Sequence, residues 1–208
     1  MAGATRRMLL LALASLAVGR AARAQENALT EAELARMEHG ETVVRPQTSN
    51  LDGQRYVGGV TYTIVPVSAE ELLALVDSET AYAEVMPRAK FVKRLQFGPE
   101  GGYMEVHHGN AFIDAAYTMH LKKEPSQSRI RFWVDLSRPH DVEDAWGFFR
   151  YLPLPSGGRG EPRMLLTYGV LVNLGDGVLR SLYEEKVRNA MLSLPQRLRR
   201  YVSRTLHR

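Results

Sequence analysis

The chain has no cysteine among its 208 residues. Disulfides, thiolate metal sites, a cysteine nucleophile and a lipidated-cysteine anchor are therefore excluded. It has no internal repeat and no low-complexity tract. It has no Gly-x-Ser-x-Gly elbow, and "GGRG" and "GPEGG" are too sparse, and lack the strand–helix setting, to cradle a phosphate. After its first 24 residues no run approaches the roughly 20 apolar residues of a membrane helix. It also lacks a basic excess where one would matter. The formal charge of +4 comes from the first 24 residues, which hold four arginines and no acid. Residues 25–208 carry 23 Lys+Arg against 23 Asp+Glu. A neutral chain has no electrostatic footprint for nucleic acid, so no nucleic-acid partner is expected.

What is present suits a globular protein: 45% hydrophobic and 24% charged residues, enough chain to bury a core without staples. Residues 1–24 read as a signal peptide. Arg6 and Arg7 precede the apolar run "MLLLALASLAV", and small residues at Ala22 and Ala24 place cleavage before Gln25. "TRRMLLLAL" also fits a twin-arginine signal, and Arg20 and Arg23 disfavour the ordinary secretory route. Both export routes stay open. The expected location is periplasmic or secreted.

Residues 25–57 read as a lead-in: a short helix over "LTEAELARME" with a Thr30–Glu33 capping box, then the extended, polar "ETVVRPQTSNLDGQ". The body, residues 58–208, opens with the strand "GGVTYTIVPV". Ser68 and Glu71 form a second capping box before "AEELLALV", and Asp77-Ser78 breaks that helix and caps "TAYAEV". Pro87 disfavours helical geometry at Met86 and stops the second helix. Strands come next. Ile113, Ala115, Tyr117, Met119 and Leu121 alternate with polar residues. So do Ile130, Phe132, Val134 and Leu136, and later Met164, Leu166, Tyr168, Val170 and Val172. Short turns between successive strands imply an antiparallel meander. From Val178 onward Leu179, Leu182, Val187, Met191, Leu194 and Leu198 recur at helical spacing. Pro195 inside that pattern kinks the helix or begins a second segment.

This order is α+β: strand, two short helices, about six antiparallel strands, one long amphipathic helix. A curved sheet of that width is too broad for one helix to fill, which leaves an internal cavity. The chain resembles the START-like helix-grip superfamily, nearest its polyketide cyclase/dehydrase and coenzyme-Q-binding branch. The resemblance rests on "VSAEELLALVDSETAYAEVMPRAKFVKRL", "GFFRYLPLP", "RMLLTYGVLVNLG" and the last helix through "MLSLPQRLRRYV", and spans about residues 58–206. It implies a sheet of six to seven strands wrapped on the C-terminal helix. It also implies a cavity for lipids, quinones, sterols or polyketides, in proteins of which some are enzymes and many only bind.

Tyr62, Tyr82, Tyr117, Phe132, Trp146, Phe149 and Tyr168 are the aromatics expected around that cavity, with Val85, Met86, Met119 and Met191 beside them. Rings supply a large apolar surface and tyrosine hydroxyls a few polar contacts; each alone is equally a core residue. His107 and His108 are adjacent on a strand, so only one faces inward. With His120, Glu105 or Asp114 one of them could bind a metal or move protons, but the spacing matches no metal motif, and no metal or cofactor is expected. Asp114 and Asp135 lie on the polar side of their strands. Arg197, Arg199, Arg200 and Arg204 make the last helix basic, either as a solvated face or as a transient contact with anionic lipid head groups. The function expected is an exported protein that binds a hydrophobic, lipid-like ligand. The alternatives are a cyclase/dehydrase-type enzyme, which needs a His, Asp or Glu in the cavity wall, and an interaction module, which needs a collapsed cavity and an exposed apolar patch.

Overall fold

The structure is a computed structural model. It describes residues 29–109, 114–158, 160–175 and 178–205, and only the backbone of 178–182. The leader, Ile113 and the side chains of Leu179 and Leu182 lie outside the described residues. The chain divides into two compact units, Met1–Ala35 and Arg36–Arg208. In the first, the described residues begin helix α1 (Glu31–Glu38), where Thr30 and Glu33 exchange capping hydrogen bonds. The sheet and the site belong to the second.

The sheet has eight strands: β1 (Val43–Leu51), β2 (Gln54–Val65), β3 (Ala89–Gly98), β4 (Gly101–Gly109), β5 (Asp114–Glu124), β6 (Arg129–Val134), β7 (Asp144–Leu154) and β8 (Arg163–Asn173). Every neighbouring pair is antiparallel, in the order β1-β2-β8-β7-β6-β5-β4-β3. The strand β1 is an addition to the expected six or seven. It lies in the stretch read as extended lead-in and pairs with β2 through a two-residue turn. Asp52 (φ 50°) and Gly53 (φ 79°) supply the two left-handed residues that a tight hairpin needs. Strand β6 stops at Val134, so Leu136 does not continue its inward row and is exposed instead.

Between β2 and β3 lie α2 (Ala69–Val76) and α3 (Glu79–Val85). Ser68 and Glu71 cap α2 reciprocally, and the Ser78 hydroxyl accepts from the Ala81 N–H at the start of α3. At the far end, α4 (Val178–Leu192) and α5 (Leu194–Thr205) are one bent helical run. The bend falls at Ser193, and Pro195 sits in the first turn of α5, where its missing N–H costs no helical bond. The Thr61 hydroxyl donates to the Leu192 carbonyl and so ties β2 to the bend. The main core lies between the helices and the sheet face carrying Val65, Met104, Val106, Leu121, Ile130 and Leu166.

Candidate functional site

A cavity of about 50 Å³ lies within that core. Three helices close it. Leu72, Leu75 and Val76 come from α2, while Ala81, Tyr82, Val85 and Met86 come from α3 and its end. Leu194 and Leu198 come from α5. The sheet contributes Met119, Ile130, Phe132, Phe149 and Tyr168 from four adjacent strands. Three of these are rings in mutual contact: Phe132–Phe149 at 5.6 Å, Phe149–Tyr168 at 4.7 Å and Phe132–Tyr168 at 5.8 Å between centroids. Gly147, opposite Phe132 in the β6–β7 register, makes this possible. A Cβ there would stand 2.4 Å from the Phe132 ring.

Polar groups are few and placed at the margins. Tyr82 and Tyr168 are the wall residues with hydroxyls. Burial raises the pKa of both, and of Tyr117, far above the ordinary tyrosine value. At the rim, His108 Nδ1 lies 2.8 Å from the Pro87 carbonyl and its Nε2 lies 2.8 Å from the Tyr117 hydroxyl. Burial holds the His108 pKa below its usual value. The Gly109 N–H donates to the Arg88 carbonyl, so the α3–β3 turn, with Arg88 at φ 58°, is held at two adjacent points by the end of β4. At the other end of the α2–α3 pair, Lys123 Nζ donates to Asp77 Oδ2 at 2.6 Å. The lysine side chain is only 8% exposed, and Asp77 Oδ1 is buried without a partner.

Of the residues picked out by sequence, Tyr82, Val85, Met86, Met119, Phe132, Phe149 and Tyr168 come together in the cavity wall. Tyr117 and Met191 pack against the same core but stand outside the wall. Tyr62 and Trp146 do not face the cavity. The β2–β8 register puts Thr61 beside Tyr168, so Tyr62 points to the opposite sheet face, where the Arg45 guanidinium lies 5.3 Å from its ring. Phe149 faces inward, so Trp146, three residues earlier, faces outward and is 40% exposed. The wall residues that sequence does not single out are aliphatic: Leu72, Leu75, Val76, Ile130, Leu194 and Leu198. Helical and period-two spacing marks them only as core. Nothing local separates a core leucine from a wall leucine.

Of the histidine pair, His108 faces inward. His107 faces out, 2.7 Å from Glu105. Asp114 is exposed, 3.7 Å from Lys90, and Asp135 accepts from Ser137 and Arg138 away from the cavity. Among the described residues the wall carries no carboxylate or imidazole, and no three His, Asp or Glu residues converge to hold a metal ion. No described helix is long and apolar enough to cross a membrane.

No family model matches the chain, and no curated protein matches it in sequence. Solved structures do. A STAR-related lipid transfer protein of Xanthomonas axonopodis superposes with TM-score 0.61 at 13% identity, over 76% of this chain and 93% of that one. A Thermus thermophilus protein gives 0.53 at 15% identity, over 69% and 94%. A START superfamily protein of Mycobacterium smegmatis gives 0.51 at 16% identity, over 70% and 96%. At such identities the likeness speaks for the backbone, and it agrees with the strand order and the bent terminal helix: the chain has the START-like helix-grip fold.

Proposed function

We propose that the protein shields a hydrophobic, lipid-like molecule in this cavity, for carriage or storage outside the cytoplasm after its leader is removed. The observation that carries the reading is the wall itself: side chains from α2, α3, α5 and four strands, apolar throughout except for the hydroxyls of Tyr82 and Tyr168. The lipid transfer protein among the structural neighbours supports the same class of ligand.

At about 50 Å³ the closed cavity holds a few waters and no lipid. Sites for drug-sized ligands run to roughly 300–1,000 Å³, so loading requires the helices to move off the sheet. The wall suits that. Met86, Met119 and the leucines are rotamer-rich, and α3 is joined to α5 at the surface by the Glu84–Arg204 pair, at 2.7 Å and well exposed. Anionic lipid head groups could compete for that arginine and attract the exposed Arg200, giving a transient membrane contact during loading. Arg199, by contrast, is committed to the Gly40 carbonyl. The cyclase/dehydrase reading loses ground, because it needs an acid or base in the wall.

Native mass spectrometry of protein purified from its own cell envelope tests the proposal. The expected result is a bound mass that extracts into organic solvent. Ligand-free protein that also fails to take up any apolar probe would overturn it.

A further inference from the structure

Strand β7 breaks the pattern of a sheet that faces water on one side. Its inward row is Ala145, Gly147, Phe149 and Tyr151. Its outward row is Trp146, Phe148, Arg150 and Leu152, three apolar residues and one cation. Strands with one wet face alternate apolar and polar residues, and apolar residues on both faces belong to strands covered on both. Yet Trp146 is 40% exposed and Leu152 37%. The register extends the pattern sideways. Tyr103, His120, Trp133 and Trp146 are partners across β4, β5, β6 and β7. The next outward row holds Lys122, Arg131 and Phe148, and the one after it Glu124, Arg129 and Arg150. Lys122, Arg131 and Arg150 are exposed. Glu124 meets Arg129 and Arg131, each at 2.6 Å, so these two rows set four cations against one acid. Residues 25–208 are formally neutral, which makes this a local excess beside a row of rings.

We propose that this outer face binds an acidic glycan chain. The proposal is independent of the cavity and rests on the interleaving of rings and cations. A sugar lays the C–H face of its ring on an indole, and a carboxylate at its edge meets a guanidinium in a charge-assisted pair. Trp146 supplies the exposed indole. Phe148 lies about 7 Å further along β7 and Arg150 about 7 Å beyond that, so ring and charge alternate within reach of a few consecutive sugars. Two other anionic partners fit less well. Across the ring row from the cations stand Glu105 on β4 and Asp144 on β7. An anionic bilayer would press on both sides of that row, whereas a single chain lies along one. A nucleic-acid strand brings a phosphate at every nucleotide and calls for a basic footprint that a neutral chain lacks. A glycan with carboxylates on alternate sugars matches four cations relieved by one acid.

Calorimetric titration of the purified full-length protein tests this with four probes: oligosaccharides of hyaluronan and of alginate, vesicles of phosphatidylglycerol, and a single-stranded oligothymidylate. The expected result is binding of at least one acidic oligosaccharide, weakened by salt and tighter than binding of the vesicles or the oligonucleotide. Trp146→Ala should weaken it by roughly three- to tenfold. Arg150→Gln should weaken it by about threefold. Both side chains are exposed, so both variants should fold. Lys186→Gln removes the same charge from an exposed position on α4 and should leave the affinity unchanged. Binding of neither oligosaccharide would overturn the proposal. So would an affinity that Trp146→Ala and Arg150→Gln leave unaltered, and so would tighter binding of the vesicles or the oligonucleotide, which would give the face to a different partner.

Discussion

Both faces of the sheet carry aromatic rings, and the two sets do different work. On the concave face Phe132, Phe149 and Tyr168 meet one another and the leucines of the helices. On the convex face Tyr103 stacks on His120 at 4.4 Å, His120 meets Trp133 at 4.3 Å, and Trp133 pairs with the exposed Trp146. Those outer rings are dressed with charge: Arg138 lies 5.1 Å from the Tyr103 ring and Arg45 lies 5.3 Å from Tyr62. Aromatic identity therefore does not report the face of a strand. Parity does, because successive residues alternate across the sheet.

The largest test of this contrast is a pair of truncations. Leu166 is fully buried on the concave side of β8, so Leu166→Ala should cost about 2–5 kcal/mol in urea unfolding. Trp146→Ala, a larger deletion, should cost about 1 kcal/mol or less because the indole is substantially exposed. Equal costs would mean the faces are assigned wrongly. Next comes the half-buried Lys123–Asp77 pair. Lys123→Met leaves Asp77 with neither carboxylate oxygen paired and should cost about 1–3 kcal/mol. Combining it with Asp77→Asn should recover much of that loss, and a double variant no better than the single one would remove the pair from the account.

Alkaline pH offers a subtler test. Burial raises the pKa of Tyr82 on α3 and of the concave-face tyrosines Tyr117 and Tyr168. A hydrogen bond to Asp144, then burial, pushes Tyr56 up to about 12. In the unfolded chain all four titrate near 10. Their stabilisation is complete below about pH 10 and is lost as pH rises toward the folded values. Absorbance at 295 nm should show them ionising only as the protein unfolds, and ionisation of all tyrosines near pH 10 in folded protein would contradict the packing. The smallest effect is acidic. Burial lowers the His108 pKa, so as pH falls the unfolded chain takes up its proton first, near 6.5. Stability should be level above that value and fall below it, with a weaker slope in His108→Leu. An unchanged slope would show that His108 is not buried as described.

Much of this was legible in the sequence. The Ser68–Glu71 capping box, the Ser78 cap and the Met86-Pro87 stop located α2 and α3, and Pro195 located the bend before α5. The Asp52-Gly53 turn was an equally strong hairpin signal, but the polar Gln47, Thr48, Ser49 and Asn50 masked β1. That strand is an edge with little to bury, so its pattern has no clear alternation. In the site, Trp146 and Phe149 differ by three positions, and parity alone forbids both facing inward. Tyr62 needed the register with β8, which no local pattern supplies. The His108–Tyr117 contact joins residues nine apart across two strands and was equally out of reach.

The most direct test of the central claim is methyl and indole NMR of the protein during titration with 2-methylnaphthalene. If the concave face is the container, the Met86 and Met119 methyl signals shift while the Trp133 and Trp146 indole signals hold still. Shifts confined to the two tryptophans, or no shift at saturating probe, would contradict it.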